Sequence, residues 1–192
     1  HERSSAASDV YKRQVPMAIE ESSVVAAACN SAKFWKDNGG FSAQIIKKEK
    51  NGQIHFFFKG KKLELEKYFS FVKPKLFQKT KLITKNMQKR GGGIKEIQLI
   101  DKTKDLKYYF QIFATFDTID AMGANFINSC LEEFAKIFIE STNDYENINK
   151  NDIEIVMSIL SNYVPNCIVR ANATCSVDKL NSLHPETKNF AK

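Results

Sequence analysis

The chain has 192 residues, enough for one domain and part of another. Its 43% hydrophobic and 27% charged content is that of a globular protein, with a net charge of +7. No run of 18 apolar residues occurs, so no membrane-spanning helix is expected, and the first 14 residues lack the apolar core of a secretory signal. Four cysteines (Cys29, Cys130, Cys167, Cys175) form no C-x-x-C pair and have apolar or small neighbours, so reduced core thiols and a cytoplasmic location are expected. His55 and His184 have no partner at metal-ligand spacing, so no metal site is expected.

In chain order, Ser4–Gln14 resembles the in-frame translation of a transposase sequencing adapter. Residues 1–14 are therefore expected to be a non-native arm, on a chain cut from a longer gene. Ser22–Lys36 reads as a helix that Ser22 or Ser23 can cap and Gly39-Gly40 ends, with Glu20 and Glu21 placed where the helix dipole favours negative charge. Phe41–Ile46 and Ile54–Phe58 read as a hairpin about Asn51-Gly52. Lys61–Lys89 carries apolar residues at mixed helical spacing, and Pro74 should break or kink it into two helices. Gly91–Gly93 is a break, Ile94–Ile100 a strand, Asp101–Asp105 a polar turn and Lys107–Thr118 the partner strand. After the next helix, which ends near Ser141, Thr142–Lys150 reads as an Asn-rich loop. Ile153–Leu160 and Cys167–Val177 read as strands. From Phe41 the order is strand, helix, strand, strand, helix, strand. This is the split β-α-β arrangement of an α+β, ferredoxin-like fold, expected as a four-stranded sheet backed by two helices.

The chemistry concentrates at Asp120, Ala121, Met122, Gly123, Ala124 and Asn125. Before this stretch, Phe110, Ile112, Ala114 and Phe116 share one face of a strand. After it, Phe126, Ile127, Cys130, Leu131, Phe134, Ile137 and Phe138 recur at helical spacing. A strand-to-helix junction exposes unpaired N–H groups and a partial positive charge, which suit a phosphate, and Gly123 removes a side chain where a ligand must approach backbone. The pattern is not the Gly-x-Gly-x-x-Gly dinucleotide fingerprint, and on the residues alone an ordinary capped helix is the simpler reading.

Asp120–Asn125 resembles the dinucleotide-binding motif of the 3-hydroxy-3-methylglutaryl-CoA (HMG-CoA) reductase family. Three further segments match the same family in order: Val15–Ala28 running on to Gly39–Phe41, Gly91–Gly93, and Ile159–Asn162. The Glu20–Val25 run is closer to the soluble bacterial class than to the membrane-anchored one. The resemblance implies an NAD(P)H-dependent oxidoreductase of the mevalonate, isoprenoid-forming pathway, which reduces the thioester of HMG-CoA in two hydride steps to mevalonate and CoA. It implies that Glu21 is the catalytic carboxylate and that Ser23 touches the HMG group, with a plain helix cap as the alternative for Ser23. Asp120, Ala121, Met122, Gly123, Asn125 and Asn162 would then meet the cofactor, with a turn before Pro165 as the alternative role of Asn162. The cofactor is NADPH or NADH. Lys85, Lys89 and Arg90 could hold a 2′-phosphate, which favours NADPH, or form a solvated helix end.

The resemblance also implies a small cofactor domain over 41–177, inserted between pieces of a truncated helical large domain at 15–40 and 178–192, and a homodimer or higher oligomer. The family's catalytic Lys, Asp and His motifs do not occur here and would lie beyond Lys192. A chain without them is expected to be inactive alone. A different class of function is a basic ferredoxin-like module that binds RNA by stacking on Tyr109, Phe110 and Phe113. Against it, the lysines are scattered and no ribonucleoprotein motif occurs, so no nucleic-acid partner is expected.

Overall fold

The computed structural model describes residues 21–183. The arm expected over 1–14, residues Val15–Glu20 of the first stub, and residues 184–192 of the last lie outside the described residues. The described residues fall into two compact units, 21–43 with 171–183, and Gln44–Arg170.

The first unit holds α1 (Ser22–Asp37) and α5 (Val177–Leu183). The residue at the N-cap of α1 is Glu21, with extended backbone. Ser22 and Ser23 are already helical, so neither hydroxyl caps, contrary to the sequence expectation. The Asn38 and Gly40 N–H groups close the other end on the Trp35 carbonyl, and Gly39 takes a φ of +102°, which a side chain would strain. No side chain of α1 is fully buried. Phe34 and Trp35 are half-buried and pack edge to face, and Trp35 also packs at a tilt against Phe41.

The second unit is built on β1 (Ser42–Phe58), which continues from the first. Then come α2 (Lys62–Lys79), α3 (Lys81–Lys89), β2 (Gly93–Asp101), β3 (Tyr109–Asp117), α4 (Ala124–Glu140), β4 (Ile153–Leu160) and β5 (Cys167–Asn172). The sheet order is β2-β3-β1-β4, with β5 also paired to β1. The β1–β3, β1–β4 and β2–β3 pairs are antiparallel. On the helix-facing side, Ile54, Phe56 and Phe58 of β1 and Phe110, Ile112, Ala114 and Phe116 of β3 alternate with half-buried residues. They meet Leu65, Tyr68, Val72 and Leu76 of α2 and Ile127, Leu131, Phe134 and Phe138 of α4. Each buried side chain of this size contributes roughly 1.5–3 kcal/mol. The Tyr68 hydroxyl donates to the Phe138 carbonyl, which ties α2 to α4.

Four sequence expectations change here. Asn51-Gly52 is no hairpin turn; it lies inside the 17-residue strand β1, and both residues are buried. Gly52 pairs with Ala114 on one side and Leu160 on the other, and a Cβ there would stand 2.6 Å from Leu131 Cδ1. The glycine is a notch that lets α4 lie against the sheet. Second, Pro74 sits inside α2 without ending it. Pro74 and Ser70, whose carbonyl loses its donor, are both exposed, so water can satisfy that carbonyl. The helix stops instead at Thr80, whose buried hydroxyl donates to the Leu76 carbonyl at 2.7 Å. Third, only Cys130 is a core thiol: Cys29 and Cys167 are exposed and Cys175 is half-buried, because α1 and β5 leave their faces open. Fourth, the strand predicted over Cys167–Val177 ends at Asn172, and it pairs with β1, which makes five strands rather than four. The edge strand β4 leaves Val156, Met157 and Ile159 nearly half exposed, with relative exposures of 49, 48 and 47%.

Candidate functional site

Strand β3 ends at Asp117, and the chain must turn within six residues to enter α4 at Ala124. Asp117 is buried. Its Oδ1 accepts the Ile119 N–H at 2.8 Å, while Lys48 and Lys95 approach its Oδ2 at 3.5 and 4.0 Å. Thr118, also buried, closes the turn twice: its hydroxyl donates to the Ala121 carbonyl at 2.7 Å, and its carbonyl accepts the Ala121 N–H at 3.0 Å. Ile119 is held at a φ of +59°, unusual for a β-branched residue and a local strain of about 1–3 kcal/mol.

Gly123 follows at a φ of +76° and forms the N-cap of α4. A Cβ there would lie 2.4 Å from Thr118 Cγ2. The first turn of α4 carries no acidic side chain, and no side chain caps it. Among the described residues the Met122 and Gly123 N–H groups have no hydrogen-bond acceptor. The α4 start therefore presents open N–H groups and the positive end of a helix dipole. Asp120, Met122 and Asn125 are exposed around it, and Ala121 is half-buried.

Asn162 lies at the same end of the sheet. The Asn128 side chain, one turn into α4 from Asn125, accepts the Leu160 N–H at 3.0 Å, and the Ser161 N–H meets the Asn51 carbonyl at 3.0 Å. Beside Asn51, the Lys50 ammonium donates to the Ala121 and Met122 carbonyls at 2.7 and 2.8 Å. The 120–125 loop and the 160–162 turn thus gather at one stretch of β1. Asn162 itself is exposed, inside a turn closed by Ser161 and Tyr163. Glu21 and Ser23 belong to the other compact unit, where the Ser23 hydroxyl donates to Glu21 Oε1 at 2.5 Å. Both side chains are exposed.

Sequence reasoning missed Lys50, Asp117 and Thr118. Asp117-Thr118, separated from the motif by Ile119 alone, is a sequence that can form a side-chain turn, and it is available as a signal. Lys50 carries none, because its partners are backbone carbonyls 71 and 72 residues away. His55 is engaged on the sheet: its Nδ1 lies 2.5 Å from the Tyr109 hydroxyl and 3.2 Å from Gln111 Nε2, and burial holds its pKa below the ordinary value. Among the described residues no group of three His, Cys, Asp or Glu could hold a metal ion, and no helix is long and apolar enough to cross a membrane.

The sequence model of hydroxymethylglutaryl-coenzyme A reductase matches residues 8–189. The chain belongs to this family. The family's 3-hydroxy-3-methylglutaryl-coenzyme A reductase from Archaeoglobus fulgidus is 27% identical over 168 residues, which are 85% of this chain and 36% of that protein. A probable HMG-CoA reductase from Borreliella burgdorferi is 30% identical over 190 residues, 93% of this chain and 38% of that one. Among solved structures, the class II HMG-CoA reductase from Streptococcus pneumoniae, bound to NADPH in open conformations, superposes with a TM-score of 0.68. It is 27% identical and covers 87% of this chain and 42% of its own. The chain therefore spans about two-fifths of the length of the HMG-CoA reductases it matches. The RNA-binding alternative finds no support in any of these matches, and Phe110, one of its three stacking candidates, is buried in the core.

Proposed function

We propose that this chain is the part of an HMG-CoA reductase that carries the cofactor-binding loop and the catalytic carboxylate. The observation that carries the proposal is the open start of α4, where unpaired N–H groups follow the Asp120–Asn125 motif in a chain of this family. Those donors suit the charge of a pyrophosphate. The Streptococcus pneumoniae relative binds NADPH, and we assign NADPH here, held by Asp120, Ala121, Met122, Gly123, Asn125 and Asn162. NADPH supplies hydride when bound. Glu21 holds and returns protons at the substrate carbonyl, and Ser23 orients both Glu21, through their hydrogen bond, and the HMG group. The family motif that supplies a lysine to the developing oxyanion is not in this sequence.

The whole protein would take HMG-CoA, give mevalonate and CoA, act in the cytoplasm and assemble as a dimer or larger oligomer. We read the β2-β3-β1-β4 order, with helices on one face, as a ferredoxin-like small domain over 41–177. Residues 15–40 and 178–192 would be parts of the large domain, and 1–14 a non-native arm.

The test is HMG-CoA-dependent NADPH oxidation, with a parallel NADPH titration by fluorescence, in the full-length reductase and in this chain. The full-length enzyme should turn over and the isolated chain should not. Glu21→Gln in the full-length enzyme should keep NADPH binding and lose roughly 10²–10⁴-fold in kcat. Asp120→Ala should weaken NADPH binding with the fold intact. Glu21-dependent turnover by the isolated chain would sink the assignment of the missing lysine. Unchanged NADPH binding in Asp120→Ala would sink the cofactor site.

A further inference from the structure

We infer that Lys50 is a positioning residue for the cofactor loop, setting which way the donors at the start of α4 point. This rests on the cofactor site proposed above and adds a residue to it. Lys50 lies on the helix-facing row of β1, in line with Gly52, Ile54, Phe56 and Phe58, but one step past the buried core. At that position a half-buried lysine lays its stem along β1 and carries its ammonium to the loop. There it donates to two successive carbonyls, Ala121 at 2.7 Å and Met122 at 2.8 Å.

In a trans peptide the C=O and the next N–H point in opposite directions. Holding the Ala121 carbonyl on Lys50 therefore turns the Met122 N–H away from β1. Holding the Met122 carbonyl does the same to the Gly123 N–H. Neither of these N–H groups has an acceptor among the described residues. Thr118 also holds the Ala121 carbonyl, but among the described residues only Lys50 donates to that of Met122. Without the ammonium, two adjacent peptide planes keep one tether in place of three. Ile119 and Gly123, both at positive φ, leave the loop with strain to release by turning. Lys50 thus preorganises a donor pair that would otherwise be ordered at the expense of binding.

The experiment uses the full-length enzyme and compares Lys50→Met, Lys50→Gln and Lys50→Arg with Asp120→Ala. The Kd and KM for NADPH should rise about tenfold in Lys50→Met, a change of about 1.4 kcal/mol. The KM for HMG-CoA and kcat at saturating NADPH should stay within about twofold, a split that general destabilisation would not give. Lys50→Arg, which can still bridge two carbonyls, should return NADPH binding to within about threefold of wild type. If Lys50→Met does not fold, Lys50→Gln, too short to reach both carbonyls, is held to the same numbers. Wild-type NADPH binding in Lys50→Met, with loss in Asp120→Ala, overturns the role of Lys50 and leaves the cofactor site standing. Wild-type binding in both variants overturns the cofactor site and the Lys50 role with it. A Lys50→Arg enzyme no better than Lys50→Met also overturns the positioning role.

Discussion

Gly52 shows how one residue can be read correctly in type and wrongly in purpose. Asn-Gly is a strong hairpin signal because both residues tolerate positive φ, yet Gly52 lies in an extended strand paired on both sides. What it supplies is the absence of a Cβ beneath Leu131 and Ile127, a contact made across the fold and invisible to local sequence. Strand propensity and the notch predict opposite signs for Gly52→Val. Strand propensity alone would make valine an improvement. The added methyls should instead force α4 off the sheet and cost about 1–3 kcal/mol, read as a lower urea midpoint at unchanged slope. A midpoint at or above wild type would refute the notch. The motif residues Asp120–Asn125 were legible because their chemistry is local: a strand ends, a glycine turns and a helix begins. Lys50 was not legible, since nothing in its neighbours announces two carbonyls on a distant loop.

Among the elements, the long strongly patterned ones were legible and the punctuation was not. Strand β4 and helix α4 fall nearly where period 2 and period 3.6 place them, because one face of each enters the core. The sequence places a break or kink at Pro74, and the break between α2 and α3 falls at Thr80. A missing N–H is harmless on an exposed face, while a buried threonine that bonds backward ends the helix. The start of α2 is also tied to the end of β2. Lys62 Nζ lies 2.7 Å from Asp101 Oδ2, and Asp101 Oδ1 accepts the N–H and hydroxyl of Thr103. The hydrogen bond from Lys62, then those from Thr103, hold the Asp101 carboxyl at about 2, below its ordinary value. A carboxylate whose pKa is lower in the fold than in the unfolded chain stabilises at pH above the unfolded value and loses that contribution as pH falls through the folded one. The contribution should therefore fade between about pH 4 and pH 2. Urea unfolding at several pH values should show a shallower acid loss in Asp101→Asn than in wild type across that window. Parallel curves would mean that the pair is too well solvated to matter.

At the scale of the molecule, the buried apolar residues among those described run from Ile54 to Ile153, all inside Gln44–Arg170, while α1 buries no side chain fully. A chain of residues 44–170 should therefore unfold in one cooperative step, with a thermal midpoint within about 5 °C of the whole chain. A broad, non-cooperative melt would show that the other unit helps to hold this core. The order of strands and helices was legible here because each element announces its period. Strand β5 was legible as a strand within Cys167–Val177, but its pairing with β1 was not, since its six exposed residues carry no buried face to place it. Strand β4 carries a consequence of another kind. It ends the β2-β3-β1-β4 row with Val156, Met157 and Ile159 nearly half exposed and Glu154 as its only charge. Such a border can template a foreign strand, and little on β4 itself blunts it. What keeps copies apart in dilute buffer is the net charge of +7, and that protection is long-ranged only while the solution is poor in ions. At physiological salt the repulsion reaches about 8 Å, and concentrated stocks of the chain become colloidally fragile as salt is added.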